Sequence, residues 1–335
     1  MRHTSTLLLG ATAAFALLIP AAAAAAPTAT VDLRVLSAGA VLEPGTSYVV
    51  GSERLRTDPE ADCNFGGTGG TGDAYTFAKP TAFGLLRAAS RFNGDLRPLS
   101  VTDEFGFGLA LCGVGELDDG AGTFWNLRKN TNEANKGGDI LRVRDGDGIT
   151  FFLSPDQFPN PNPGELILSA PAYSTPGTVT AHVELTQCLS DPQTFEYVCS
   201  TDPAENVTVS GGDADVTTNA AGDATIPVVA SGDYGLSASL APNIPSRVIG
   251  VCVHASPSNC PSAHGKTIVG RDLADLIVDT RGYDRVLARG GPDRIRIRRG
   301  GRDEVNCGAG RDVVVIDEGD EDDVIFGNCE RIVSR

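Results

Sequence analysis

Lysine is nearly absent: four of the 27 basic residues are Lys and the rest are Arg. Histidine is as rare, four in 335 residues, and none forms an H-E-x-x-H or other paired spacing, so no zinc-hydrolase motif is present. No C-x-x-C occurs, which with so few histidines argues against a structural zinc. No G-x-S-x-G elbow marks a serine hydrolase. Residues 151–264 carry 1 basic and 11 acidic side chains, within a net charge of −16. A nucleic-acid binder needs a basic face, so no nucleic-acid partner is expected, whereas the balance permits cations. After residue 26 no stretch reaches about 18 apolar residues, so no membrane span is expected.

What the chain has begins with an export signature in residues 1–26. Arg2 gives a positive start, Leu7 to Ile19 an apolar run, Pro20 a break, and the alanine run a choice of A-x-A cleavage sites. The mature protein is therefore expected to be secreted and extracellular. All eight cysteines lie beyond this segment. Export makes disulfides the expected state. Their spacing suggests sequence-local pairs, Cys63 with Cys112, Cys188 with Cys199, Cys252 with Cys260, and Cys307 with Cys329. Closing the longest loop contributes about 4 kcal/mol in the chain-entropy picture.

Three units follow, and the expected fold class is mainly β. Residues 30–154 read as a small α+β domain. "TVDLRVL" alternates like a strand, "PTAFGLLRAASRF" (Pro80 to Phe92) reads as a helix capped by Thr81, and "TFWNLRKN" as a strand. "DILRVRDGDGITFFL" reads as two strands about an Asp145–Gly146 turn. Trp125, the only tryptophan, is most simply a core residue. Four prolines make residues 155–164 a stiff linker. Residues 165–254 are short alternating runs split by Gly, Asp and Pro, the pattern of a β-sandwich, Ig-like or prealbumin-like. Residues 255–265 form a second linker.

Residues 266–335 carry a rhythm. Asp275, Asp284, Asp293, Asp303, Asp312 and Asp323 recur every nine to eleven residues. Two places after each stands a β-branched residue: Ile277, Val286, Ile295, Val305, Val314 and Ile325. Gly282, Gly291, Gly301 and Gly310 stand two places before the middle four. So short a period predicts one turn and one short strand per coil of a parallel β-roll, with the β-branched residue inward and the aspartate in the cleft between stacked turns. Alternation places Asp293 and Asp312 on one edge and Asp284 and Asp303 on the other. Carboxylates and turn carbonyls are the hard oxygens that Ca²⁺ takes. Arg302 and Arg311, each directly before an aspartate, offer a metal-free alternative in which they bridge the acids.

These residues resemble the haemolysin-type (RTX-like) calcium-binding nonapeptide repeat, G-G-x-G-x-D-x-U-x. The resemblance implies a calcium-binding roll with the six aspartates as metal ligands. The leading Gly-Gly pair is replaced by Ala288–Arg289 and Arg298–Arg299, and Asp275 lacks its preceding glycine. "TAFGLLRAASRF", the strand around Trp125 and "GGDILRVRDGDGITFFL" resemble the C-terminal-like domain of transcobalamin and intrinsic factor. In those proteins the domain covers cobalamin held largely by a helical barrel, which this chain lacks.

The expected function is that of a secreted, non-catalytic protein with calcium-binding repeats, whose β domains engage an extracellular ligand or surface. Two alternatives stand beside it. A small-molecule carrier would show an apolar groove beside Trp125. An extracellular hydrolase would show a convergent pair of buried carboxylates in a deep pocket. The glycine-rich "GTGGTG" (Gly67 to Gly72) lies in a polar loop away from any strand-to-helix turn, and the acidic "DEGDEDD" run (Asp317 to Asp323) fails the EF-hand spacing.

Overall fold

In the computed structural model the described residues are 27–63, 69–106, 108–120, 122–155, 162–191, 193–194, 196–260, 264–280, 282–298, 302–317 and 323–335. The export segment, part of the "GTGGTG" loop, the middle of the proline linker and most of the acidic run lie outside them. The alternation of "TVDLRVL" becomes β1 (Ala29–Ser37), with Val31, Leu33 and Val35 fully buried. It pairs antiparallel with β2 (Val41–Val50). β3 (Glu53–Arg56) and β4 (Ala74–Phe77) pair antiparallel beside helix α1 (Ala82–Ser90). The Thr81 hydroxyl caps α1, accepting the Gly84 N–H at 3.1 Å. Phe83, Leu86 and Ala89 are buried, and so are Leu85 and Ala88, because strands flank the helix on more than one side. β5 (Leu99–Thr102), β6 (Ala110–Val114) and β7 (Leu117–Asp118) form a small meander. β8 (Thr123–Lys129), β9 (Asn132–Glu133) and β10 (Gly148–Pro155) complete the main sheet of this unit.

β10 lies parallel to β1 and antiparallel to β8. Both its edges are thus taken, and the hairpin expected about Asp145–Gly146 does not form. Residues 138–143 instead cross the start of α1. The Leu141 and Gly138 carbonyls accept the Ala82 and Phe83 amides at 3.1 and 2.9 Å. Those amides have no partner within the helix, which gives the irregular segment its role. Leu141 and Val143 still reach the core.

The second unit is a two-sheet sandwich. β11 (Glu165–Ser169), β12 (Tyr173–Ser174), β13 (Gly177–Ser190), β14 (Tyr197–Pro203), β15 (Thr208–Ser210), β16 (Val216–Thr217), β17 (Asp223–Val228), β18 (Gly232–Ser239) and β19 (Ile249–Val253) build it. One sheet runs β11-β13-β14 with β17 also on β13; the other runs β12-β19-β18-β15-β16. Val179, Ala181, Val183, Ile226, Leu236 and Val251 meet between them. The cysteines pair as their spacing suggests: Cys63–Cys112, Cys188–Cys199, Cys252–Cys260 and Cys307–Cys329.

The third unit coils as β20 (His264–Val269), β21 (Leu276–Val278), β22 (Tyr283–Leu287), β23 (Arg294–Ile297), β24 (Glu304–Asn306), β25 (Val313–Ile316), β26 (Val324–Ile325) and β27 (Arg331–Ser334). Odd and even members form two parallel sheets, a β-roll. Ile277, Val286, Ile295, Val305 and Val314 point inward and are fully buried. Gly291 (φ +100°) and Gly308 (φ +83°) hold turns where a Cβ would meet the backbone of the neighbouring coil at 2.4 and 1.7 Å. The even sheet does not stop at the roll. β20 pairs parallel with β2, Ser47 opposite Ile268 and Tyr48 opposite Val269, so one nine-stranded sheet runs through both units.

The first unit meets the sandwich through buried ions. Arg34 reaches Glu165 at 3.0 Å with both side chains 4% exposed, and donates to the Pro245 carbonyl at 2.8 Å. Burial pulls the Arg34 guanidinium down to about 10, and Glu165 holds it up against that pull. Removing one partner leaves the other charge buried alone. Glu165→Ala should therefore cost about 3–5 kcal/mol, and the apolar pair Arg34→Met with Glu165→Leu should recover most of it. Urea denaturation of the single and double variants measures both.

Candidate functional site

The six phased aspartates lie in two stacks, as the alternation requires. On one edge the amide of Asp275 donates to the Asp293 carboxylate at 2.8 Å, and that of Asp293 to Asp312 at 2.8 Å. The amide of Asp312 donates to Glu330 at 2.8 Å, so a glutamate takes the last place. On the other edge Asp284 donates to Asp303 at 2.6 Å and Asp303 to Asp323 at 2.9 Å. Each carboxylate thus accepts the amide of its counterpart one coil earlier. Asp275, Asp284, Asp293, Asp303 and Asp312 are all buried.

Arg302 and Arg311 do not bridge these acids. Both are exposed, and neither forms an ion pair with an aspartate among the described residues. Their neighbours Asp303 and Asp312, in the turns before β24 and β25, are buried while the arginines stay at the surface. The arginine that does bridge is Arg271, whose guanidinium holds Asp275 at 2.6 and 2.8 Å and whose amide donates to it at 2.7 Å. Asp279, outside the rhythm, is buried in the same manner and accepts the Arg298 amide at 2.6 Å.

The donor set is one of hard oxygens. The second oxygens of Asp293 and Asp312 are buried and accept no hydrogen bond. Successive coils lie about 4.8 Å apart, so these orphaned oxygens stack along one edge. Among the described residues no three His, Cys, Asp or Glu side chains converge in metal-holding geometry. A calcium ion between coils would therefore take one or two carboxylate oxygens and draw the rest from turn carbonyls. The residues fit that use.

A second candidate site lies beside Trp125, where the carrier alternative places an apolar groove. A cavity of about 320 Å³ opens beside Trp125, which is half-buried and lines it rather than being sealed in the core. Phe83 on α1, Leu111 on β6, Phe124 and Leu127 on β8 and Phe151 on β10 complete its apolar wall. Phe83 and Phe151 stack at 6.1 Å, and the Trp125 indole donates to the Cys112 carbonyl at 3.4 Å. Glu133 lines one side, held by Arg128 at 3.1 Å and by the Asn162 amide at 2.9 Å. Burial pushes the Glu133 carboxyl up, and Arg128 opposes it. Tyr197 of the sandwich closes the rim. The only advance signal was the aromatic-rich β8 and β10, which reads equally as core.

No family model matches this chain, and no curated protein does. Among the described residues no helix is long and apolar enough to cross a membrane.

The stacked acids carry a pH signature. Burial pushes the Asp293 carboxyl from 3.8 up to about 7, with Asp275 and Asp312 adding to it and the Asp275 amide opposing. Asp279 also rises to about 7, through burial and then Asp303 and Asp284. The folded state therefore holds these protons more tightly than the unfolded chain. Their contribution is present below about pH 4 and is lost as pH rises toward about 7. Asp293→Asn keeps an acceptor and cannot ionise. In chelator, the melting temperature of the unmodified chain should fall relative to that of the variant between about pH 5 and about pH 8.

Proposed function

We propose that the chain is a secreted, non-catalytic binding protein. The first unit takes a small, largely apolar ligand in the cavity beside Trp125, and calcium stabilises the C-terminal roll. The observation that carries this reading is the aromatic wall of Phe83, Phe124, Trp125 and Phe151 around a volume of about 320 Å³, within the range of small-molecule sites. Two acids, Asp119 and Glu133, line the cavity; Glu133 already has Arg128 and Asn162 as partners, which supports binding over acid–base chemistry. The four disulfides accord with an oxidising destination.

For calcium, the support is the pair of orphaned buried oxygens on Asp293 and Asp312. Bound cation would neutralise the stack at neutral pH, where burial otherwise disfavours ionised carboxylates. Export would deliver the roll to a calcium-rich medium and let it finish there. A calcium concentration one hundredfold above Kd adds about 2.7 kcal/mol. Calorimetric melting of the full chain in calcium and in chelator should show that gain, and Asp293→Asn should reduce it. Equal melting temperatures with no heat on calcium titration would instead make the aspartate stacks a purely structural device.

Trp125 reports on the cavity directly. Titration with N-phenyl-1-naphthylamine should quench its emission in a saturable way. Ala134→Phe, which fills the cavity from its wall, should abolish the quenching and leave the melting temperature nearly unchanged.

A further inference from the structure

In a chain of net charge −16, five of the 23 arginines line a single hollow, apart from the twelve in residues 266–335. A hollow of about 770 Å³ beside α1 is lined by Arg54, Arg56, Arg87, Arg91 and Arg97. Its apolar floor includes Leu55 and Leu99. The fold explains how they converge. Arg54 and Arg56 are the outward members of β3, whose burial alternates strictly. Arg87 and Arg91 stand four apart at the end of α1 and share a face. Arg97 follows one turn later.

Ordinary structural roles account for only part of the cluster. Arg91 is paired with the buried Glu53. Arg87 lies in the last turn of α1, where the helix dipole favours a cation, and donates to Ser90 at 3.3 Å. Arg56 donates to the Gly72 carbonyl at 2.8 Å, which leaves its charge unopposed. Arg54, Arg56, Arg87 and Arg97 form no ion pair among the described residues. Glu53, whose carboxyl burial pushes up and Arg91 and then Arg87 hold down, is one acid beside five arginines; like charges in such excess weaken the fold, so the surplus needs another cause.

We propose that this hollow binds a compact, multiply charged phosphate or sulfate ester. Guanidinium forks match tetrahedral oxyanions bidentately, and several of them around a shallow bowl select a ligand with more than one such group. The site is separate from the cavity beside Trp125, with which it shares no lining residue.

The test is isothermal titration of the full chain with sucrose octasulfate and with inositol hexakisphosphate, using sucrose and inositol as neutral controls. Saturable binding of a charged ester that weakens as salt is raised is expected. Binding of one ester and not the other would identify the source of the oxyanion. Arg54→Ala with Arg97→Ala should weaken binding at least tenfold. Both side chains are exposed, so the melting temperature without ligand should hold or rise. Arg56→Ala alone should act in the same direction, and the matching Lys variants should recover only part of the loss. Arg294→Ala with Arg311→Ala, exposed on the roll, should leave the affinity unchanged. The proposal is overturned if neither ester binds, or if the roll variant loses as much affinity as the hollow variant.

Discussion

A parallel coil leaves an open sheet edge where it starts, and the pairing of β2 with β20 closes that edge for one of the roll's two sheets. An uncovered edge of this kind exposes unpaired amides and carbonyls to any other strand. Here Ser47 and Tyr48 lie beside Ile268 and Val269, and side chains cross in both directions. Val49 packs into the roll core, while Val269 packs into the core of the first unit. The strands of the roll are only two to six residues long, and it gains its first rung from a strand that is already anchored. Binding that tightens the roll would therefore act on the same nine-stranded sheet that carries β8 and β10, the strands behind the aromatic cavity.

Arg289 shows how firmly that junction constrains the repeat. It occupies a place where the nonapeptide pattern has glycine, and it keeps the backbone glycine would favour, φ +77°. A side chain in that region is strained by about 1–3 kcal/mol. In return, its guanidinium stacks 3.5 Å from the centroid of Phe92, just past α1. The departure from the repeat is thus explained by what the roll packs against. Arg298, in a second departure, lends its amide to the buried Asp279.

Whatever is periodic or local in this chain was legible before any coordinates. The aspartate rhythm yields the two stacks because each full coil takes 18 to 20 residues, so alternate aspartates must superpose. The cysteine pairs are local, and the sandwich strands alternate openly. What could not be read depends on tertiary competition. "DILRVRDGDGITFFL" has the look of a hairpin, but β1 and β8 claim both edges of β10. Arg302 and Arg311 sit next to aspartates in sequence yet stay exposed, while the arginine that bridges is Arg271, four residues before Asp275. Glu330 ends one stack although its longer side chain breaks the pattern. The aromatic cavity and the arginine hollow each collect residues from several elements, and neither has a spacing that could announce it.

Charge joins the first unit to the sandwich and adds to the sheet that joins it to the roll, and Asp32 is where these ion pairs meet. It stands on β1 with its carboxylate 2.6 Å from Lys266 of the roll and 3.7 Å from Arg247 of the sandwich. The buried Arg34, two residues along the same face, holds Glu165 and the Pro245 carbonyl. The accompanying apolar cluster between the first unit and the sandwich is small: Leu36, Phe152 and Ile244. Apolar contact is nearly indifferent to sliding, whereas hydrogen-bonded ions tolerate few geometries. A buried pair adds little net stability because desolvation offsets most of its attraction. Its use here is positional. β1 therefore acts as the common reference for all three units: its apolar face builds the first core, and its polar face sets where the sandwich and the roll sit against it.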